Sequence, residues 1–286
     1  MGLAAADQEG CRTPISGDNT WTATGAYDQM GTQETGRLVI LSGPSCVGKS
    51  PLKTALARFH PTLFGRLTRL VLFNSRAPRP GERDGVDYHF RPRSHVDALK
   101  SQQRYAVLDV RGDLQALDLE ELTAVLGRSD AFFEGNPFVG RLLQTHPLLA
   151  RVDRLSMFLS PLSKEEIAYL KAPERHISLT DFVTDVMRRK LLRRARRQKG
   201  ELSLADLENI ETRARSAYRE LTDAWRFQYV IPNHDGEDSD NWEAFYYPIG
   251  DARQSLEAVV ALLGRVGSPP GVEAWGEDLV PPEPGR

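Results

Sequence analysis

Apolar residues in this chain form two kinds of pattern. Leu38-Val39-Ile40-Leu41 is a short unbroken apolar run, as expected of a strand buried on both faces of a parallel sheet. A glycine loop follows, and then Leu52, Ala55, Leu56 and Phe59 recur at helical spacing, so the segment predicts strand, loop and helix in that order. Ala131-Phe132-Phe133, Leu155 to Leu159 and Tyr229-Val230-Ile231 predict three more strands. Between the last two lie helical stretches from Ser163 to about Leu170 and from about Leu179 to Ala195, and a third from Ser203 to about Ala224, where Ser203 is a suitable cap. This alternation predicts an α/β fold, a parallel sheet with helices on both faces.

Periodicity fades at both ends. Residues 1–36 are rich in Gly, Thr, Asp and Gln, and residues 265–286 in proline, glycine and acid, so both are expected to be disordered tails around one folded unit, 37–264. The 286 residues, 40% hydrophobic, suffice for one medium domain with a sizeable core. A net charge of −2 excludes a general attraction to nucleic acid or anionic membrane, so any anion site is local. The start lacks a signal-peptide pattern and no apolar run is long enough to span a membrane. With only Cys11 and Cys46, a reducing, cytoplasmic setting is expected. The histidines show no metal-ligand spacing.

The loop after the first strand, Gly43-Pro44-Ser45-Cys46-Val47-Gly48-Lys49-Ser50, fits G-x-x-x-x-G-K-S/T in the strand-to-helix context that motif requires. It points to a P-loop NTPase-type sheet. Backbone N–H groups of Gly43, Ser45, Cys46, Val47 and Gly48 and the helix N-terminus would face the phosphates of ATP, Lys49 would follow the transferring charge, and Ser50 would hold Mg2+. Pro51 lacks the N–H that P-loop proteins often offer the α-phosphate at this place, a loss worth about 1 to 2 kcal/mol of donor binding.

Further on, Arg76, Pro78, Arg79, Gly81, Glu82, Gly85, Asp87, Tyr88 and Phe90 form a spaced set in which a stiff backbone holds two guanidinium groups, the geometry that grips a phosphate dianion. With the P-loop before it, this segment resembles the acceptor-binding segment of the guanylate kinase family. The resemblance implies that Arg76, Arg79 and Tyr88 hold the phosphate of GMP and that Glu82 supports the arginines, in an acceptor-binding subdomain over about 70–118. The basic run from Arg188 to Lys199 and the return through Arg213 resemble the family's lid, about 186–215, with Arg197 and Arg213 closing on the donor phosphates and Arg196 as the alternative to Arg197. Val230-Ile231-Pro232-Asn233 resembles the strand end that places an asparagine near adenine, giving Asn233 that role.

Other positions depart from the family. Val107 stands where a guanine-reading glutamate is expected, Gly112 to Ala116 replace an aromatic element, Leu72 replaces a base contact, and Asp109 or Asp113 could supply a shifted carboxylate. Glu134-Gly135-Asn136 takes the place of an acidic pair, leaving Glu134 as the second candidate metal ligand beside Ser50. Residues 165–185 form an insertion of no assigned role. The resemblance implies a nucleoside monophosphate kinase that uses ATP with Mg2+ and GMP as default acceptor, without nucleic-acid or membrane partners. The alternative is a catalytically weakened module that binds ATP or a phosphorylated partner.

Overall fold

The computed structural model describes residues 36–79, 81–267 and 269–283. In chain order it forms β1 (Leu38–Ser42), α1 (Lys49–Phe59), α2 (Pro61–Phe64), β2 (Leu67–Arg69), β3 (Phe73–Asn74), β4 (His89–Phe90) and α3 (Arg93–Ala98). Then follow β5 (Tyr105–Val110), β6 (Asp113–Asp118), α4 (Leu119–Leu126), β7 (Asp130–Gly135), α5 (Pro137–Thr145) and β8 (Arg154–Ser160). The chain continues through α6 (Lys164–Lys171), α7 (Leu179–Lys199), α8 (Leu204–Leu221), β9 (Tyr229–Pro232) and α9 (Gly250–Leu263).

Five strands pair in parallel in the order β2-β7-β1-β8-β9. Pleating sends successive side chains to opposite faces, and both faces are covered here. Leu38 and Ile40 of β1 join a core with Leu122 and Val125 of α4, Leu143 of α5 and Leu221 of α8. Val39 and Leu41 face the other way, against Leu52 and Leu56 of α1 and Leu256 and Val259 of α9. That two-sided burial is why the strands read as unbroken apolar runs. No helix among the described residues is long and apolar enough to cross a membrane.

A smaller sheet, β4-β3-β6-β5, rises beside the main one with its own core of Val96, Leu99, Leu114 and Ala116. Val107 packs into that core, so it is a structural position rather than a reader of a base. The β5–β6 hairpin turns through Arg111 and Gly112, both at positive φ (59° and 87°), the conformation that matches strand twist in a two-residue turn.

Helices α7 and α8 form an antiparallel hairpin, with Ser203 and Asp206 making a reciprocal cap at the start of α8. The insertion supplies α6 and the first turns of α7. Across the hairpin, Glu211 accepts from Arg188 Nε at 2.7 Å and from Arg215 Nε at 2.5 Å, and these bonds, Arg188 first, hold its carboxyl down to about 2. A carboxyl lowered by folding adds stability above its unfolded value, near 4.5, and that stability is lost as pH falls through about 2. The contribution is small because the pair is near the surface. Acid titration followed by circular dichroism should show Glu211→Gln abolishing this part of the pH dependence; identical wild-type and variant profiles would remove the argument.

The expected N-terminal tail, 1–36, lies outside the described residues except for Gly36, whose N–H donates to Leu126 O at 2.6 Å. The expectation of a disordered C-terminal tail over 265–286 is corrected for residues 269–283. Glu273 and Val230 exchange two backbone hydrogen bonds of 2.8 Å. The Glu273 carboxylate accepts from the Lys164 N–H and the Trp275 indole, Lys171 reaches Asp278 O and Leu279 O, and the Tyr218 hydroxyl donates to Pro281 O at 2.7 Å. Trp275 and Val280 are buried. Two isolated anchors amid proline and acid leave no periodic trace, yet they offset the ordering entropy of the segment.

Candidate functional site

The site starts at the carboxyl end of β1, where the chain leaves the sheet and turns into α1. Gly43 and Gly48 have φ of 147° and 107°. A Cβ at Gly43 would strike Leu159 O, and one at Gly48 would strike the Asn233 amide, so only glycine keeps this loop tight. Pro51 is the third residue of α1, where the helix needs no N–H from it, and Leu52 N closes the first turn on Gly48 O at 3.1 Å. The Lys49 ammonium is buried and donates to Gly43 O at 2.8 Å and Pro44 O at 2.7 Å. Burial lowers its pKa, against the pull of Glu237 and Glu134.

Ser50 and Glu134, distant in sequence, meet because β7 lies next to β1: Ser50 Oγ donates to Glu134 Oε1 at 3.2 Å, while Lys53 Nζ holds Oε2 at 2.7 Å. A hydroxyl and a carboxylate are hard oxygen donors of the kind Mg2+ takes with phosphates and water.

Opposite the loop stands the second motif. Arg76 and Glu82 form a two-pronged pair, Nη1 to Oε2 at 2.6 Å and Nη2 to Oε1 at 2.7 Å, and Oε2 also accepts from the Arg79 N–H at 2.8 Å. Burial pushes the Glu82 carboxyl up, but the bonds from Arg76 and the Arg79 N–H outweigh it and keep it ionised below the usual range. Arg76 also lies over the rings of Tyr88 and Phe90, 5.3 Å from each centroid. Burial, then the neighbouring Arg76, brings Arg79 down to about 10.

Loop and motif line one cleft of about 340 Å3, to which α7 contributes Arg194 and α8 contributes Arg213. Arg213 sits on the buried stripe of α8 with Ile210, Ala214 and Ala217. Its Nε is buried without a partner among the described residues, and burial, followed by repulsion from Arg79, Arg194 and Arg111, lowers its pKa to about 9. No carboxylate of the described residues forms an ion pair with Arg79, Arg194 or Arg213. Three guanidiniums and an ammonium therefore face one polar cleft without a direct ion pair to a carboxylate among the described residues, Glu237 being the acid that partly offsets them, and such an arrangement invites a multiply charged anion.

Two expected residues are elsewhere. Arg197 does not line the cleft; it pairs with Asp240 at 3.0 Å on the surface. The buried stripe of α7, Val183, Met187, Lys190 and Leu191, continues to Arg194, whereas Arg197 stands about 4.5 Å farther along the axis. Arg196, the alternative, is also absent from the lining. Asn233 is buried behind the loop, its two N–H donors taken by Val47 O and Asp235 O at 2.8 Å each, so it braces the loop instead of facing a base.

Other lining residues had no place in the sequence motifs. Arg111, Asp113 and Gln115 alternate along the hairpin, and Asn136 donates to Gln115 Oε1 at 3.2 Å. Of the two candidate shifted acids, Asp113 lines the cleft, while Asp109 caps the Gly112 N–H at 2.7 Å. Glu237 is a half-buried acid at the loop: burial raises its carboxyl, and Lys49 and Arg194 more than reverse this.

The guanylate kinase family model matches residues 35–117, from β1 and the glycine loop to the penultimate residue of β6. A guanylate kinase from Synechococcus sp. (strain JA-3-3Ab) is 30% identical over 217 residues, covering 74% of this chain and 83% of that protein. One from Corynebacterium diphtheriae is 30% identical over 209 residues, covering 72% and 92% respectively. The chain belongs to the guanylate kinase family. A crystal structure of guanylate kinase from Anaplasma phagocytophilum aligns with a TM-score of 0.48 and 17% identity over 82% of this chain and 87% of that one. Within this guanylate kinase family member, the matched stretch carries Lys49, Ser50, Arg76, Arg79, Glu82 and Tyr88, while Arg194, Arg213 and Glu134 lie beyond it.

Proposed function

We propose that the chain transfers the terminal phosphoryl group of ATP to GMP, acting as a magnesium-dependent nucleoside monophosphate kinase in the cytoplasm. The observation that carries this reading is the convergence of Lys49, Arg79, Arg194 and Arg213 on one cleft. ATP phosphates lie on the loop formed by Gly43, Ser45, Cys46, Val47 and Gly48, and Lys49 leaves its two loop carbonyls for them. Arg76, Arg79 and Tyr88 take the acceptor phosphate, with Glu82 fixing the Arg76 plane. Guanine offers two donors, N1–H and the exocyclic amine, and Asp113 is the carboxylate that the hairpin presents to receive them.

Phosphoryl transfer asks the protein mainly for alignment and for neutralisation of charge spread over the transferring oxygens. Lys49, Arg194 and Arg213 supply positive charge in one cleft, and the burial of Lys49 strengthens its contribution. Ser50 and Glu134 would hold Mg2+, which would offset the charge of the donor phosphates. The intact Lys49 and Ser50 favour turnover over mere binding. The test is formation of ADP and GDP by purified protein with Mg2+, ATP and GMP, beside AMP, CMP and UMP. Strongest turnover on GMP that chelation abolishes is expected; ATP binding without stimulation by any acceptor would defeat the proposal.

A further inference from the structure

Arg111 occupies the left-handed turn of the β5–β6 hairpin, and its side chain reaches away from its own sheet to α8. Its Nε donates to Glu220 Oε1 at 2.8 Å and to Ser216 Oγ at 3.2 Å, and its Nη2 donates to the same Glu220 oxygen at 2.5 Å. Ser216 Oγ in turn donates to Glu220 Oε1 at 2.6 Å. Glu220 is fully buried and its second oxygen has no partner among the described residues, so Arg111 is the charge that balances it there.

The two ends of this tie carry different halves of the site. On the hairpin, Arg111, Asp113 and Gln115 alternate and all line the cleft on the acceptor side. On α8, Arg213, Ser216 and Glu220 are spaced three and four apart and share one face. One face of the small sheet keeps a separate core, while Val110 and Leu117 on its other face join the core that includes Ile210, Ala214 and Ala217 of α8, and the Arg111 tie fixes where the hairpin turn meets that helix. We propose that Arg111 is a positioning residue for phosphoryl transfer: clamped by Glu220 and Ser216, it sets the distance between the acceptor wall of the cleft and Arg213. This rests on the kinase reading above. It requires no contact between Arg111 and substrate.

The test uses the full chain with Arg111→Ala, Arg111→Lys and Ser216→Ala, measuring kinetics against GMP and ATP separately, and amide hydrogen exchange without nucleotide. Misplacing one wall by about an ångström should lower kcat/KM for GMP about a hundredfold in Arg111→Ala, with KM for ATP changed less than about twofold. Arg111→Lys keeps the charge without the two-pronged geometry and should recover part of the loss, and Ser216→Ala, which leaves the ion pair, should fall only a few-fold. Exchange over 105–118 and 204–221 should quicken about tenfold in Arg111→Ala while 38–42 and 154–160 stay protected. Equal losses toward GMP and ATP, or no loss toward either, would overturn the proposal. If wild type turns over no acceptor, the kinase reading fails separately and exchange decides: selective quickening in Arg111→Ala, or in Arg111→Lys should the alanine variant not fold, supports the tie, and unchanged or global exchange rejects it.

Discussion

Lys49→Ala is expected to lower kcat for ATP-to-GMP transfer by at least about a hundredfold while leaving the melting temperature within a few degrees of wild type. The ammonium is buried, and its hydrogen bonds go to the carbonyls of Gly43 and Pro44. Those carbonyls belong to a loop held independently by the Asn233 brace and by the positive-φ glycines, so the loop survives the loss of the side chain. What disappears is a buried positive charge, which acts far more strongly there than in bulk solvent. Steady-state kinetics and thermal melting of both proteins check this. Activity within tenfold of wild type, with the fold intact, would show that the reaction does not pass along this loop.

Arg213→Ala should be at least as severe, with kcat down about a thousandfold, whereas Arg197→Ala should stay within about threefold of wild type. The difference follows from placement. Arg213 has a buried Nε, makes no ion pair among the described residues and faces the cleft with Arg79 and Arg194. Arg197 is half-exposed and tied to Asp240, an interaction worth little at the surface. The pair of kinetic measurements separates a charge acting on the reaction from a charge on a solvated helix. Comparable losses in the two variants would remove the distinction drawn from the cleft.

The parts of the site that could be read in the sequence are local. The glycine loop is compressed into Gly43 to Ser50, and the arginine motif from Arg76 to Tyr88 depends on short-range bonds such as Arg76 to Glu82. Arg213 was legible from its family-like placement and falls on an apolar stripe, Ile210, Ala214 and Ala217. The same test applied to α7 points to Arg194, three residues before Arg197, because the stripe of Val183, Met187 and Leu191 continues through it. Arg111 and Glu220 were not legible, since their bond spans a sequence separation of 109 and neither belongs to a motif. The small sheet was also largely missed: β3 and β4 have two residues each and carry no usable period. Asn233 was found as a position but not as a role, because a motif does not say which groups an amide has already satisfied.

The segment from Val272 to Glu283 has a consequence outside the reaction. β9 ends the sheet on one side, and the outermost strand of any sheet carries free N–H and C=O groups that another polypeptide can pair with. In this protein Glu273 occupies that row at Val230, and Trp275 and Val280 are buried against the domain. The segment therefore works as an edge guard. It occupies positions on the open side of the sheet at which another polypeptide would otherwise pair.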